Sequence, residues 1–231
     1  MQEVTERIIV SVGGSLIVPD AIDTAFLSAF RALILEKLQE GFSFAIIAGG
    51  GKTARRYQEA ASAVTKTGST DLDWLGIHST RLNGHLLRTI FSDYAHPVMI
   101  TNPDEVLDVP PTVAVIIAAG YRPGASTDLR AVQIAGRAGA TKVVNLSNID
   151  YVYTADPKMD ASAKKIEKIE WPEFRKLIPV EWDPGLSAPF DPVAAREAEA
   201  LGLEVAIMNG AKLGEFSNYL DAKPFVGTII S

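Results

Sequence analysis

Residues 42–53 have the sequence FSFAIIAGGGKT, in which an apolar run of strand length ends in three consecutive glycines. Short apolar runs bounded by glycine are typical of buried strands in α/β proteins. Residues 7–15, RIIVSVGGS, show the same pattern earlier in the chain. Glycine lets the backbone approach an anion closely, and amide groups at a helix start point toward it. Both junctions are therefore candidate phosphate sites, although glycine at a strand end also occurs for close packing alone.

Helix and strand patterns alternate along the rest of the chain. Apolar residues recur at helical spacing from Thr24 to Leu38, and Gly41 provides a stop. By the same criteria we expect helices over residues 52–64, 72–91, 129–138, 172–177 and 192–201, and strands over residues 97–101, 112–118, 142–146 and 204–208. This order predicts an α/β fold with a mainly parallel central sheet and helices on both faces.

A third glycine-bearing loop, residues 119–125, leads into Ser126, Thr127 and Asp128. These side chains favour a helix start because they can accept hydrogen bonds from first-turn amides. Three junctions of strand and glycine in one chain favour phosphate binding over packing alone, because independent features agree.

Two nucleotide-binding motifs fail close inspection at the triple glycine. Gly51-Lys52-Thr53 matches the end of a Walker A loop, but the motif needs glycine where Ile46 stands inside the strand. A loose dinucleotide fingerprint is present, with Asp73 at about the expected spacing, yet that acidic residue should end the next strand. What remains is an anion site made from backbone amides.

Composition excludes several classes of protein. The chain has 231 residues, 22 Lys and Arg against 28 Asp and Glu, and a formal net charge of -6, which argues against nucleic-acid binding. It contains no cysteine, so disulfides, thiolate metal sites and a cysteine nucleophile are excluded. The three histidines have no metal-ligand spacing, and we predict no protein metal centre. Neither a signal peptide nor a membrane span is visible, so a cytoplasmic protein is expected.

Several polar side chains near the junctions are candidate ligands for a nucleotide. Arg55 and Arg56 follow Gly51 by about one helical turn, where a guanidinium could fork onto a phosphate or lie in solvent. Tyr153 and Asp156 follow a predicted strand, the usual ligand edge of an open α/β sheet. Tyr153 could flank a base and Asp156 could accept a hydrogen bond from a ribose, or Asp156 could simply cap a turn.

Taken in order, these segments resemble the archaeal-type uridylate kinases of the amino acid kinase family. The resemblance extends over nearly the whole chain. It rests on the order and spacing of all the motifs together and not on any one of them. The matching stretches are residues 13–15, 49–55, 73–83, 126–128, 150–157, 191–195 and 227–230.

The resemblance implies a three-layer αβα sandwich and transfer of the ATP γ-phosphoryl group to UMP, giving UDP and ADP for pyrimidine nucleotide biosynthesis. It implies Mg²⁺ as cofactor and a homohexamer as the assembly. It also implies a single domain over residues 1–231, with an acceptor half over about residues 1–119 and an ATP half over residues 120–231.

The family's functional positions carry over residue by residue. For UMP they are Gly50, Asp73, Tyr121, Arg122, Pro123, Gly124, Ala125, Ser126 and Thr127. For ATP they are Gly14, Ser15, Gly51, Arg55, Ser147, Tyr153 and Asp156. The predicted catalytic residues are Asp128, which matches the acidic residue that organises the phosphate-binding groups, together with Lys52 and Arg55.

The chain departs from the family pattern at its cations. Ser11 and Asn148 stand where many relatives have lysine, so Lys52, Arg122 or Arg130 would have to substitute. Tyr151 replaces a glycine next to the adenine position, and residues 184–190 replace a small, flexible stretch. Loss of one charged stabiliser costs on the order of a thousandfold in rate if nothing compensates.

The chemistry is compatible with this inventory of residues. A UMP phosphate is already an anion at neutral pH, so the nucleophile needs no general base. The site must bring two anions together and stabilise charge on the transferred group. Two alternatives remain: a non-catalytic member of the fold that binds nucleotide or stores an oxoanion, as in molybdenum storage protein, and a kinase for another small acceptor.

Overall fold

The computed structural model describes residues 7–181 and 188–231. The strands are β1 (Arg7–Val12), β2 (Ser43–Ala48), β3 (Val115–Ala118), β4 (Lys142–Ser147), β5 (Val152–Tyr153), β6 (Lys165–Ile166), β7 (Lys168–Ile169), β8 (Glu204–Asn209) and β9 (Thr228–Ile230). The helices are α1 (Gly14–Ile17), α2 (Thr24–Gln39), α3 (Gly51–Val64), α4 (Ser69–Ile90), α5 (Thr127–Ala138), α6 (Trp171–Leu177), α7 (Pro192–Ala200) and α8 (Leu213–Leu220). A 3-10 helix covers Pro103–Asp108.

The central sheet has seven strands in the order β3-β2-β1-β4-β8-β9-β7. All its pairs are parallel except β8 with β9, which runs antiparallel. Strands β5 and β6 form a separate antiparallel pair. The predicted α/β fold with a mainly parallel sheet is confirmed.

Both faces of the sheet are buried, which explains the near-continuous apolar runs in its strands. In β1, Ile9 joins the hydrophobic cluster that contains Phe174 and Ala194 of α6 and α7. Its neighbour Ile8 joins the opposite cluster with Phe30 of α2. Alternate residues of one strand therefore point into two different cores, which makes the three-layer αβα arrangement.

The strand predicted over residues 97–101 is wrong. Only isolated bridges join this segment to β3, at Ala95 with Val115 and at Ile100 with Ala118. Pro97 has no N–H to donate, so a continuous ladder cannot form through it. The segment therefore touches the sheet at two points instead of extending it.

The parallel strands β1 and β2 bring their glycine turns together at one edge of the sheet. A Cβ atom on Gly14 would lie 1.9 Å from the nitrogen of Gly51, so no larger residue fits at Gly14. Gly51 has φ of 65°, in the left-handed region that glycine adopts without strain. The two candidate phosphate junctions thus form one surface.

Candidate active site

A cavity of about 250 Å³ opens at this edge, between α3, α4 and the loop before α5. It lies where an open α/β sheet places its ligands, beyond the carboxyl ends of the strands. Its lining residues are Gly50, Gly51, Ala54, Arg55, Asp73, Gly76, Ile77, Thr80, Gly120, Pro123, Ala125, Ser126 and Thr127. Both predicted groups of nucleotide-binding residues contribute to this lining.

Helix α4 braces the glycine turn after β2. The buried side chain of Asn83 donates from Nδ2 to the carbonyl oxygen of Gly49 at 2.8 Å and to that of Gly50 at 3.2 Å. Thus one amide group holds two successive peptides of the turn. Buried carbonyl groups left without a donor would be costly, so these contacts favour a single turn conformation.

The same helix braces the loop before α5. Arg81 donates from Nε to the carbonyl oxygen of Gly120 and from Nη2 to that of Tyr121, both at 3.0 Å. Thr80 Oγ1 accepts from the Gly120 N–H at 2.8 Å and donates to its own helix at Ile77. Consecutive residues of α4 therefore fix the start of a loop that lines the cavity.

Four backbone amides at the two glycine turns have no hydrogen-bond acceptor within residues 7–181 and 188–231, namely those of Gly14, Ser15, Gly50 and Gly51. Three of them belong to first turns of α1 and α3, where intrahelical acceptors do not exist. Free amides at a helix start attract anions through their own dipoles and that of the helix. The surface between the turns can thus hold phosphate oxygens.

Asp128 lies behind this surface, in the first turn of α5. Its Oδ1 accepts from Ser11 Oγ at 3.3 Å and from Asn145 Nδ2 at 3.1 Å, and its Oδ2 accepts from the Asp191 N–H at 3.4 Å. The residue keeps some exposure, but protein atoms surround its carboxylate. This burial, together with the charge of Asp191, raises the pKa of Asp128 to about 7.

Asp191 begins α7 and is buried. Its Oδ1 accepts from the amides of Val193 at 2.6 Å and Ala194 at 3.1 Å, as in an N-cap. Its Oδ2 has no hydrogen-bond partner in the described parts of the chain. Through its contacts with Ser11, Asn145 and the Asp191 N–H, Asp128 therefore connects β1, β4 and the start of α7.

The predicted catalytic cations lie on α3 but differ in their contacts. Lys52 Nζ pairs with Asp20 at 2.9 Å, and Arg56 also pairs with Asp20, at 2.7 Å. The hydrogen bond from Lys52 is the main cause that lowers the pKa of Asp20. Arg55 lines the cavity, is exposed and makes no ion pair or hydrogen bond among the described residues. Of the two predicted catalytic cations, Arg55 is thus the one that lines the cavity.

Asp73 reaches across the cavity to the loop before α5. Its Oδ2 accepts a 2.9 Å hydrogen bond from the N–H of Gly124, whose φ is 81°. The second carboxylate oxygen, Oδ1, makes no hydrogen bond within the described segments. A substrate hydroxyl could therefore donate to Asp73 without breaking the contact to the loop.

Two other predicted loop residues, Tyr121 and Arg122, lie outside the cavity lining. The guanidinium of Arg122 lies 5.6 Å from the ring centre of Tyr121, and that of Arg130 lies 5.5 Å from it. Arg130 is buried on α5 and bonded to Gln133. Both guanidinium groups thus lie near the Tyr121 ring, and neither arginine lines the cavity.

The residues predicted for the distal part of ATP lie further along the same edge and are more exposed. Ser147 ends β4 and its Oγ accepts from the Ile149 N–H at 3.3 Å. Tyr153 is half-buried on β5, and the exposed Asp156 accepts from the Lys158 N–H at 2.9 Å in a local turn. This turn is the structural alternative that composition already allowed for Asp156.

Mg²⁺ would find few protein ligands here. No group of three or more His, Asp or Glu side chains suited to a metal occurs among residues 7–181 and 188–231. A magnesium ion that arrives with nucleotide phosphates keeps several waters and needs only one or two carboxylates. The described residues are therefore compatible with a magnesium ion that arrives with the nucleotide.

Thr80, Arg81 and Asn83 were not among the predicted site residues. The signal that could have identified them is a run of polar side chains on a face of α4 that is otherwise buried. Of the departures noted in the sequence, residues 184–187 lie outside the described residues, whereas Phe190 packs in the core. No described helix is long and apolar enough to cross a membrane.

Comparison with known proteins gives consistent results. The model of the amino acid kinase family matches residues 6–209. The chain is 32% identical to the uridylate kinase of Methanocorpusculum labreanum over 97% of this chain and 95% of that protein. It is 34% identical to the uridylate kinase of Pyrococcus abyssi over 87% of this chain and 89% of that protein.

Solved structures give the same result. The uridylate kinase of Archaeoglobus fulgidus superposes with a TM-score of 0.81 at 25% identity, covering 98% of this chain and 100% of that one. The UMP kinase of Bacillus anthracis superposes with a TM-score of 0.80 at 18% identity, covering 98% and 96% of the two chains. At 18% identity, the likeness to the Bacillus anthracis protein shows a shared fold only.

Proposed function

The chain belongs to the amino acid kinase family, and we propose that it is a UMP kinase, an enzyme that transfers the γ-phosphoryl group of ATP to UMP and releases UDP and ADP. The observation that carries the proposal is the meeting of two glycine turns, with free amides, beside a cavity that also contains Arg55 and Asp73. Such a surface suits two phosphate-bearing ligands placed end to end.

For the acceptor, we assign UMP to the cavity. Gly50, Asp73 and the part of the loop before α5 that lines the cavity (Pro123, Ala125, Ser126 and Thr127) would hold it, with Asp73 Oδ1 open to a ribose hydroxyl. The UMP phosphate attacks as an anion, so no side chain has to remove a proton.

For the donor, we assign ATP to the edge that runs from the glycine turns past Ser147 toward Tyr153 and Asp156. Gly14, Ser15 and Gly51 present amides to its phosphates, and Arg55 reaches the region where the two substrates meet. Mg²⁺ bound with ATP supplies neutralising charge on the phosphates. The transferred group gains stabilisation from donors that are already oriented.

Asp128 acts behind the phosphates by holding other groups. It fixes Ser11 at the first glycine turn and Asn145 on β4, and it meets the backbone at Asp191. Lysine is absent at Ser11 and Asn148, and Lys52 is engaged by Asp20. Backbone amides and Arg55 therefore carry more of the transition-state charge in this chain.

The direct test is phosphoryl transfer from Mg-ATP to UMP, CMP and dUMP, with calorimetric binding of UMP and ATP to the same preparation. We expect turnover with UMP preferred. Binding of both nucleotides without turnover would contradict the kinase assignment and support the non-catalytic alternative, which the named relatives do not favour.

We further propose that the chain is one domain with the two functional halves described above, working in the cytoplasm as a homohexamer. Exposed apolar side chains on α4, Trp74 and Leu82, support self-association because they would be covered in an assembly. Light scattering of the purified protein tests the hexamer directly. A monomer at micromolar concentration would contradict it.

A further inference from the structure

Asn83 is the residue of α4 that controls the glycine turn after β2. It is 3% exposed, and its single NH₂ group contacts the carbonyl oxygens of both Gly49 and Gly50. No other described side chain donates to these two carbonyl groups. The Gly50 carbonyl oxygen also accepts from the Ala54 N–H at 3.4 Å, so Asn83 supplies the shorter contact there and is the side chain that joins the two peptides.

The direction of the amides follows from peptide geometry. In a trans peptide the C=O and N–H bonds point in opposite directions, and the described chain contains no cis peptide. Because Asn83 draws the carbonyl groups of Gly49 and Gly50 toward α4, the N–H groups of Gly50 and Gly51 must point away from it. The nitrogen of Gly51 accordingly lies against Gly14, between the two glycine turns.

We propose that Asn83 is a positioning residue for phosphoryl transfer, which fixes the Gly49 and Gly50 peptides so that the next two amides face the transferred group. The role rests on the proposed kinase function for its catalytic consequence. It goes beyond that function by naming what orients the amides. Because Ser11 and Asn148 replace the family lysines, catalysis in this chain depends more strongly on the orientation of these amides.

The chemical requirement for asparagine is specific. Two carbonyl oxygens need donors, and an amide NH₂ group offers two hydrogens on one atom. Aspartate has nearly the same shape but would place negative charge against both carbonyl groups. Alanine would leave the Gly49 carbonyl group without a donor and the Gly50 carbonyl group with only its 3.4 Å contact from the Ala54 N–H. The two variants therefore separate the loss of donation from a change in volume.

The kinetic experiment compares Asn83→Ala and Asn83→Asp with a matched control, Ser79→Ala. Ser79 is buried on the same helix, but its hydroxyl donates only to Leu75 of α4. We expect kcat to fall about 10- to 100-fold in both Asn83 variants, while KM for UMP and ATP changes less than about threefold. The control should retain kcat within about twofold, since it leaves the turn untouched.

A spectroscopic experiment tests the same role without catalysis. Gly14, Gly50 and Gly51 are the only glycines in the sequence that directly follow another glycine. Protein labelled with glycine carrying ¹³C at the carbonyl and ¹⁵N will therefore give three signals in an HNCO spectrum. In wild-type protein, inorganic phosphate should shift the Gly50 and Gly51 signals.

In Asn83→Ala those two signals should change position before any ligand is added, and the apparent Kd for phosphate should rise about fivefold or more. Asn83→Asp, whose side chain keeps the original volume, serves if the alanine variant does not fold. Unchanged signals and unchanged phosphate affinity would overturn the proposal. So would a kcat loss no larger than that of Ser79→Ala.

The two experiments also separate this proposal from the kinase assignment. If wild-type protein does not phosphorylate UMP, the proposed function fails while the HNCO result still decides the role of Asn83. If wild-type protein turns over UMP but the Asn83 variants match it in kcat, the positioning role fails alone.

Discussion

The acceptor side and the donor side of the cleft are held in different ways. On the acceptor side, formed by α4, the turn at Gly49–Gly51 and the loop before α5, the buried Asn83 and the half-buried Arg81 donate to backbone carbonyl groups at Gly49, Gly50, Gly120 and Tyr121. On the donor side, residues 147–168, the buried bond from the Val152 N–H to Thr228 Oγ1 anchors β5, but the ion pair of Asp150 and the turn at Asp156 are exposed. Lys212 pairs with Asp150 at 2.8 Å, and Asp156 bonds only within its own turn.

This difference indicates where the site is organised before substrate arrives. Buried hydrogen bonds are costly to break because the partners would be left unsatisfied. Exposed ion pairs contribute little and are screened by salt. We therefore expect the acceptor cavity to keep its shape without ligand, whereas much of the order on the donor side comes from the nucleotide itself.

Asp128, where the two sides meet, gives the largest expected effect. At pH 8, where the wild-type carboxylate is mostly ionised, Asp128→Asn should lower kcat about 10²- to 10³-fold, because the neutral side chain no longer holds Ser11 and Asn145 by charge-assisted hydrogen bonds. Steady-state kinetics with UMP and Mg-ATP measures this loss. A variant with wild-type kcat would remove Asp128 from the catalytic machinery.

The same variant should be more stable than wild-type protein at pH 8. The pKa of Asp128 is raised to about 7, so between its ordinary value and that pH the folded state binds a proton that the unfolded state releases. Stability therefore falls as pH rises through this window, and the loss is complete above it. Asp128→Asn should gain about 1–3 kcal/mol at pH 8 and almost nothing at pH 4.

Chemical denaturation of wild-type protein and of Asp128→Asn at pH 4 and pH 8 measures the gain in the free energy of unfolding at each pH. A gain that is larger at pH 4 than at pH 8 would contradict the prediction. Asp191 is the charged group next to Asp128, and so Asp191→Asn should lower the pKa of Asp128 and reduce the same pH dependence.

Arg81 tests the brace on the acceptor side. Arg81→Ala removes two hydrogen bonds to the loop and should raise KM for UMP at least about tenfold, with a loss of about 1–3 kcal/mol in the free energy of unfolding. Arg81→Lys keeps the charge without the planar fork and should recover only part of the loss.

His85→Ala, at an exposed position on the same helix, is the control and should behave as wild type. If Arg81→Ala binds UMP normally, the brace does not organise the cavity. The conclusion that the acceptor cavity is organised before substrate binds would then be wrong.

Asp73 tests whether the cavity binds the acceptor UMP and not the donor ATP. Asp73→Ala should raise KM for UMP about tenfold and leave KM for ATP nearly unchanged, because it removes both the hydroxyl acceptor and the contact to Gly124. Discrimination between UMP and dUMP should narrow in the same variant. An increase in KM for ATP alone would place Asp73 on the donor side instead.

Lys212 should give the smallest effect. Lys212→Ala breaks an exposed ion pair with Asp150 and should lower the free energy of unfolding by less than about 1 kcal/mol. Thermal denaturation at low and high salt measures it. A loss as large as that of Arg81→Ala would mean that the donor side is as firmly held as the acceptor side.

The local pattern of the sequence was enough for most elements of the fold. The apolar runs ending in Gly13 and Gly49 predicted β1 and β2, and Ser126 predicted the start of α5. The antiparallel β9 was missed because a three-residue strand has no periodicity of its own. Its direction depends on pairing with β8, which is distant in sequence.

In the candidate site, too, some residues were predicted from the local sequence and others depend on contacts between distant parts of the chain. Residues near the glycine turns were accessible because their spacing carries the family resemblance, and Gly50, Gly51, Arg55 and Asp73 do lie together around the cavity. Their binding roles stay predictions. Asn83 lies in the matching stretch of residues 73–83, but its role was not predicted because its contacts join positions 34 residues apart in the chain, and only the fold brings them together.

Strand β9 also determines when the enzyme can be completed during synthesis. Thr228 on β9 bonds to Val152 and Ile166, which are 76 and 62 residues earlier in the chain, and these contacts fasten the donor side to the sheet. β1 and β2, in contrast, contact each other at a separation of only 36 residues. On the ribosome, the acceptor strands can pair early, while the donor side waits for Thr228 to emerge. A nascent chain stalled before β9 should therefore resist protease around α4 and remain cleavable near residues 150–168.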